Sequence, residues 1–160
     1  CPTEPPRSSS DPHEFANVLG VEGIRYVLDS GRNVPLSTYV MLSSCVPASA
    51  FETPLQPLSA ADLEPLLEHP KVLGLAEMMD VAGVLAGNPD VLAKIEAVQA
   101  RGGVVDGHAP GLSGRDLCAY ATAGPMSDHE SSTPAEARER LRLGLWLMVR
   151  EGSAARNLHA

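Results

Sequence analysis

Along this chain, short apolar runs take turns with amphipathic segments of helical period. TYVMLSSCVP (38–47) is apolar and β-branched and predicts a strand. Ser59 and Asp62 then form a capping box that opens a helix reaching about His69. KVLGLAEMM (71–79) predicts the next strand. Asn88 caps and Pro89 fills the first turn of a helix over 91–100, which Gly102 and Gly103 end. GGVVDGH (102–108) is again strand-like, with Asp106 and Gly107 reading as its exit turn. Ser113 and Asp116 open a helix to about Ala123, and a short run ends at Ser127-Asp128-His129. Thr133, Pro134 and Glu136 start a helix that Gly144 stops. Arg138, Glu139, Arg140 and Arg142 form its wet face, while Leu141, Leu143 and Leu145 turn partly inward. LWLMVREGS (145–153) predicts the last strand. Asp11, Pro12 and Glu14 open a helical segment over 11–29 ahead of Gly31, and CPTEPPRSSS (1–10) predicts an unstructured lead-in to the 11–160 domain.

Alternating β and α elements predict a parallel sheet covered by helices, either an open doubly wound sheet or a closed barrel. Polar residues fall at the ends of the runs, at His13, Cys45, Glu77, His108, His129 and Glu151, in steps of 32, 32, 31, 21 and 22. A (β/α)8 barrel of about 250 residues averages about 31 per unit and carries its functional groups at the C-terminal strand ends. No G-x-G-x-x-G or P-loop follows any strand, so the α/β reading is a barrel. About five strands are visible, too few to close one.

Composition narrows the function classes. The chain has 160 residues, 44% of them apolar, and a net charge of −8, which weighs against nucleic acid. With six aromatic residues a base-stacking platform is not expected either. The longest apolar run near the C-terminus, Leu145 to Val149, cannot span a bilayer, and no membrane association is expected. Three scattered cysteines argue against a disulfide framework and for the cytoplasm. The first residue is not methionine, which leads to the expectation of a fragment.

The candidate chemistry lies at the strand ends. Glu77 interrupts an otherwise apolar run, where a carboxylate is costly to bury unless paired or metal-bound. His108 follows two valines. Taken singly, His108 reads equally as a hydrogen-bonded turn residue, and His129 in SDHE as a solvated helix start. Together, two imidazoles and a carboxylate on successive barrel strands point into one volume and suit zinc, iron or manganese. Ser43, Ser44 and Cys45 lack a nucleophile elbow and read as small buried residues. His69 and His159 read as surface residues.

DPHEFANVLGVEGIRY (11–26), MLSSCVPASAFET (41–53), LEHPKVLGLAEMMD (67–80), VDGHAPGLSGRDLCAY (105–120), SDHE (127–130) and MVREGSAARNL (148–158) closely resemble the bacterial and archaeal adenine deaminases of the metal-dependent amidohydrolase superfamily. The resemblance implies a (β/α)8 barrel with two divalent ions, hydrolysis of adenine to hypoxanthine and ammonia in purine salvage, and a homo-oligomeric full-length enzyme. It implies that Glu77 bridges the metals and that His108 and His129 are ligands, with His13 and Asp128 near the substrate. The family's first-strand H-x-H pair is absent, its eighth-strand aspartate would lie beyond Ala160, and its second strand would precede DPHE, where the lead-in looks nothing like one. The chain is therefore expected to be the middle of the barrel, roughly strands three to seven. The alternatives are another amidohydrolase, acting on a different aminopurine or a cyclic amide, and a catalytically inactive remnant.

Overall fold

A computed structural model describes residues 6–49 and 51–159. Among these described residues, six strands run in chain order: β1 (Arg7–Ser10), β2 (Ser37–Leu42), β3 (Val72–Met78), β4 (Val104–Gly107), β5 (Ser127–Asp128) and β6 (Trp146–Leu147). β1 to β4 form one parallel sheet in sequential order, and β5 and β6 pair in parallel beside it. The Met126 amide donates to the Val105 carbonyl at 2.9 Å, and the Gly107 amide to Ser127 Oγ at 3.0 Å, so β5 continues the order after β4. All-parallel, sequential strands with a helical segment in each crossover curl into part of a (β/α)8 barrel, as the sequence predicts.

Among the described residues, seven α-helices connect them: α1 (His13–Leu19), α2 (Val21–Ser30), α3 (Ala60–Leu63), α4 (Val81–Ala86), α5 (Pro89–Gln99), α6 (Gly114–Ala123) and α7 (Pro134–Arg142). Reciprocal capping boxes form between Ser59 and Asp62 on α3 and between Thr133 and Glu136 on α7, but the one expected from Ser113 and Asp116 does not, since the Ser113 side chain makes no capping hydrogen bond to α6. The rest of the helix expected after Ser59 is a 3-10 turn over Glu64–Glu68. Asn88 caps α5 through its side chain. The apolar faces of α2, α5 and α6 meet the sheet through Ile24, Ile95 and Leu117 against Leu42, Leu75 and Val105, all at most 1% exposed. Burying each such side chain contributes roughly 1.5–3 kcal/mol.

Several expectations are corrected. Residues 7–10 of the lead-in are not unstructured: they form β1, paired from Arg7↔Ser37 to Ser10↔Val40. The Cys1–Pro5 part of that expectation lies outside the described residues. Parallel pairing uses backbone groups, and β1 flanks the sheet with mostly exposed side chains, so its sequence needs no apolar pattern. The barrel portion thus begins one strand earlier than expected. The helix over 11–29 is two helices, broken at Gly20, whose φ of 62° and ψ of −144° suit glycine alone.

The last strand covers only Trp146–Leu147, followed by irregular chain with a Glu151–Arg156 bridge. Asp106 and Gly107 belong to β4 rather than to a turn, and a Cβ at Gly107 would strike the Ser127 carbonyl. α4 has no counterpart in the sequence reading; Asp80 caps it through the Gly83 amide at 2.8 Å. Arg140 is not on the wet face of α7 but fully buried, and Leu141 is 56% exposed.

Candidate metal centre

Because the strands are parallel, their C-terminal ends share one rim, and the rim gathers the polar strand ends. β3 delivers Glu77 one residue before its end, β4 is followed by His108, and β5 by His129. Glu77 Oε2 lies 2.8 Å from His108 Nδ1 and 2.9 Å from His129 Nε2. The two imidazole rings meet edge-on with centroids 5.5 Å apart. All three side chains are 21–26% exposed, so the cluster is sheltered but reachable. One ligand atom from each falls within 4.8 Å of the others.

The electrostatics follow from this packing. The His108 hydrogen bond, then that from His129, holds Glu77 far below the usual carboxylate range and outweighs burial. The Glu77 hydrogen bond raises His129 against the effect of burial, with the charges of Glu77, Glu130 and Asp128 adding to it. Glu130 Oε1 sits 3.4 Å from His129 Nε2 and is held in turn by Arg150 at 2.6 Å. Burial raises Asp106 on β4, although Ser127 donates to it at 3.2 Å.

The corner that carries His108 is fixed from behind. The His108 amide donates to the Tyr120 hydroxyl at 2.9 Å, and that hydroxyl donates to the Met78 carbonyl at 2.7 Å, tying the ends of β3 and β4 together. Burial pushes the Tyr120 phenol well above its ordinary value, so it stays a donor. The Ala109 amide donates to Asp128 Oδ1 at 3.0 Å, and Arg140 donates to the Ala109 carbonyl at 2.5 Å. Arg140 Nε completes the loop to Asp128 Oδ2 at 3.2 Å, and Ser131 donates to the same oxygen at 2.8 Å. Burial alone would raise Asp128, but the hydrogen bonds from Ser131, Ala109 and Glu130 and the Arg140 charge bring it below its ordinary value. Asp128 and Arg140, both 0% exposed, thus sit behind the rim as a clamp.

His13 opens α1 directly after β1 and joins the rim. Its Nδ1 lies 3.0 Å from Asp11 Oδ2, and Asp11, His13 and Glu77 form a second group with ligand atoms within 4.8 Å. Burial lowers His13, but Asp11, then Glu14 and Glu77, outweigh it and raise it overall. Burial raises Asp11, outweighing His13 beside it. Asp11 and Glu130 are the rim residues that sequence reasoning passed over. The signal was their place in DPHE and SDHE, each next to or near a histidine at a strand end.

No family model matches the chain. It is 49% identical over 150 residues to an adenine deaminase of Desulfatibacillum aliphaticivorans and 51% over 151 residues to one of Archaeoglobus fulgidus. Adenine deaminase 2 of Carboxydothermus hydrogenoformans is 51% identical over 148 residues. These matches cover 92–94% of this chain. By sequence, this chain is similar to adenine deaminases along nearly all of its length. It spans about a quarter of the length of the curated relatives it matches, 26% in each case. Their names agree with the resemblance drawn from DPHE, VDGHAPGLSG and SDHE. Cys45 and Cys118 are free thiols, and no helix among the described residues is long and apolar enough to cross a membrane.

Proposed function

We propose that this chain contributes part of the catalytic centre of an adenine deaminase and that Glu77, His108 and His129 hold a divalent metal there, as manganese, iron or zinc. The observation that carries this reading is the convergence of one carboxylate oxygen and two imidazole nitrogens, 2.8 and 2.9 Å apart, from three successive strands. The donor set fits: a carboxylate and imidazoles suit these metals, and Glu77 is ionised throughout the neutral range, so no proton competes for it. A metal bound there would act as a Lewis acid and lower the pKa of water near neutrality.

The residues themselves do the positioning. The hydrolysis forms a C6–O bond from water and breaks the C6–N bond, with a proton leaving the water and one reaching the amino nitrogen. Glu77 keeps a fixed negative charge at the rim, and His108 and His129 are held by the strand ends at hydrogen-bonding distance from it. The clamp from Asp128 and Arg140 keeps the His108–Ala109 corner in place while bonds change. The same proposal makes adenine the substrate, the cytoplasm the compartment and a homo-oligomer the full-length form.

Incubating the full-length protein with Mn²⁺ and adenine tests it. Ammonia and hypoxanthine released in equal amounts are the expected result. Turnover of a different aminopurine or a cyclic amide, with adenine untouched, would overturn the substrate.

A further inference from the structure

The pairing of β3 with β4 slips just where the candidate ligands begin. Leu75 faces Val105 and Met78 faces Gly107, so β3 advances three residues while β4 advances two, and Glu77 lies within the slip. An extra residue of this kind interrupts the ladder and re-aims the side chains beside it. In a regular parallel pair, backbone amides and carbonyls join the strands directly. At this rim, side-chain hydroxyls stand between the strands instead.

Three such hydroxyls occur, one at each strand junction. Between β2 and β3, Ser44 Oγ donates to the Glu77 carbonyl. Between β3 and β4, the Tyr120 hydroxyl accepts from the His108 amide at 2.9 Å and donates to the Met78 carbonyl at 2.7 Å. Between β4 and β5, Ser127 Oγ accepts from the Gly107 amide at 3.0 Å and donates to Asp106 Oδ1 at 3.2 Å. Ser44, Tyr120 and Ser127 are at most 5% exposed, so water does not compete for these bonds. Each hydroxyl holds the backbone of Glu77 or His108, or of the residue next to one of them. Tyr120 stands at the middle junction and comes from α6, outside the sheet, so it fixes both strand ends to a helix.

We propose that Ser44, Tyr120 and Ser127 are positioning residues, whose hydroxyls replace the interrupted ladder and set the spacing of Glu77, His108 and His129. None of the three supplies an atom to the cluster of those side chains. Groups that orient ligands from behind tune a metal site without touching the metal. The inference rests on the metal reading of Glu77, His108 and His129 and adds what holds those ligands at a fixed separation.

The test uses the full-length protein and Co²⁺, whose visible absorption reports how its ligands are arranged. Tyr120→Phe, Ser44→Ala and Ser127→Ala each remove one hydroxyl and no ligand atom, and Glu77→Gln serves as the ligand control. The expected result is a shifted cobalt spectrum and a Co²⁺ affinity lowered about 10–100-fold in the three hydroxyl variants, with far-ultraviolet circular dichroism unchanged. A lowered melting temperature with the parent's spectrum and affinity in all three would show a merely structural role and overturn the inference. If Tyr120→Phe does not fold, the two serine variants decide: parental spectrum and affinity in both overturn it. Loss of Co²⁺ in Glu77→Gln, with no effect from the hydroxyl variants, overturns this inference and leaves the metal centre standing. Parental Co²⁺ affinity in Glu77→Gln removes the metal reading and this inference with it.

Discussion

At the residue scale, the rim depends on charges whose partners come from other elements. Asp128 and Arg140 are fully buried and bond to each other and to both backbone groups of Ala109, while Arg140 Nη1 makes no hydrogen bond. Removing one partner of a buried pair leaves the other charge without compensation, which costs about 3–5 kcal/mol. Asp128→Asn should therefore destabilise the full-length protein by about that much in urea unfolding. The pH dependence has a definite sign. Because Asp128 is held below its ordinary value of 3.8, its contribution is complete above that pH and is lost as the pH falls through the lowered value. The variant should lack that part of the acid transition; an unchanged urea midpoint and an unchanged acid limb would remove the clamp from the account. Sequence reading placed Arg140 with Arg138 and Arg142 on a wet face because a helical period shows which side chains share a stripe. It does not show that a carboxylate from β5 waits opposite one of them.

At the element scale, what was legible in the sequence was local. Ser59 with Asp62 and Thr133 with Glu136 satisfy helix termini through residues three apart, and Asn88 accepts from the Asp90 and Val91 amides ahead of Pro89, so spacing alone places α3, α7 and α5. Glu77, His108 and His129 were legible because each interrupts or ends an apolar run that packs into a sheet. β1 was not, since Ser8, Ser9 and Ser10 make a strand only because Ser37–Val40 lies beside them. Asp11 was read as helix-opening chemistry, and its nearness to Glu77 is a product of that missed strand. The Gly20 break was hidden in a continuous amphipathic pattern. Alanine there would have to enter a region of backbone space open almost only to glycine, at about 1–3 kcal/mol. Gly20→Ala should lower the melting temperature of the full-length protein and leave metal content unchanged, because α1 and α2 lie outside the rim apart from His13. A melting temperature equal to the parent's would show that α1 and α2 tolerate another junction.

At the scale of the whole molecule, the sheet is a partial barrel. Among the described residues, β1 pairs with β2 and β6 with β5, leaving an edge strand at each end. Trp146 on β6 is 74% exposed, and Tyr26 and Val149 are 59% and 51% exposed. Open edges and exposed apolar side chains favour association. The 160-residue chain produced alone should self-associate, bind a hydrophobic dye and release no ammonia from adenine. A monomer with a sharp cooperative melt would contradict the partial-barrel account, and ammonia release by that chain would contradict the need for further ligands.

The central claim is that Glu77 holds cations at the rim, and Glu77→Gln in the full-length protein tests it most directly. The amide keeps the size and much of the hydrogen bonding but removes the charge, so a ligand role and a structural role separate. Outer partners of metal ligands already cost about 10–100-fold in affinity or activity when lost, and a ligand should cost at least as much. Elemental analysis beside a thermal melt gives both readouts. The account predicts a loss of bound metal, a fall in adenine turnover of at least about 100-fold and a metal-free melting temperature close to the parent's. Full metal occupancy with a lowered melting temperature would contradict it.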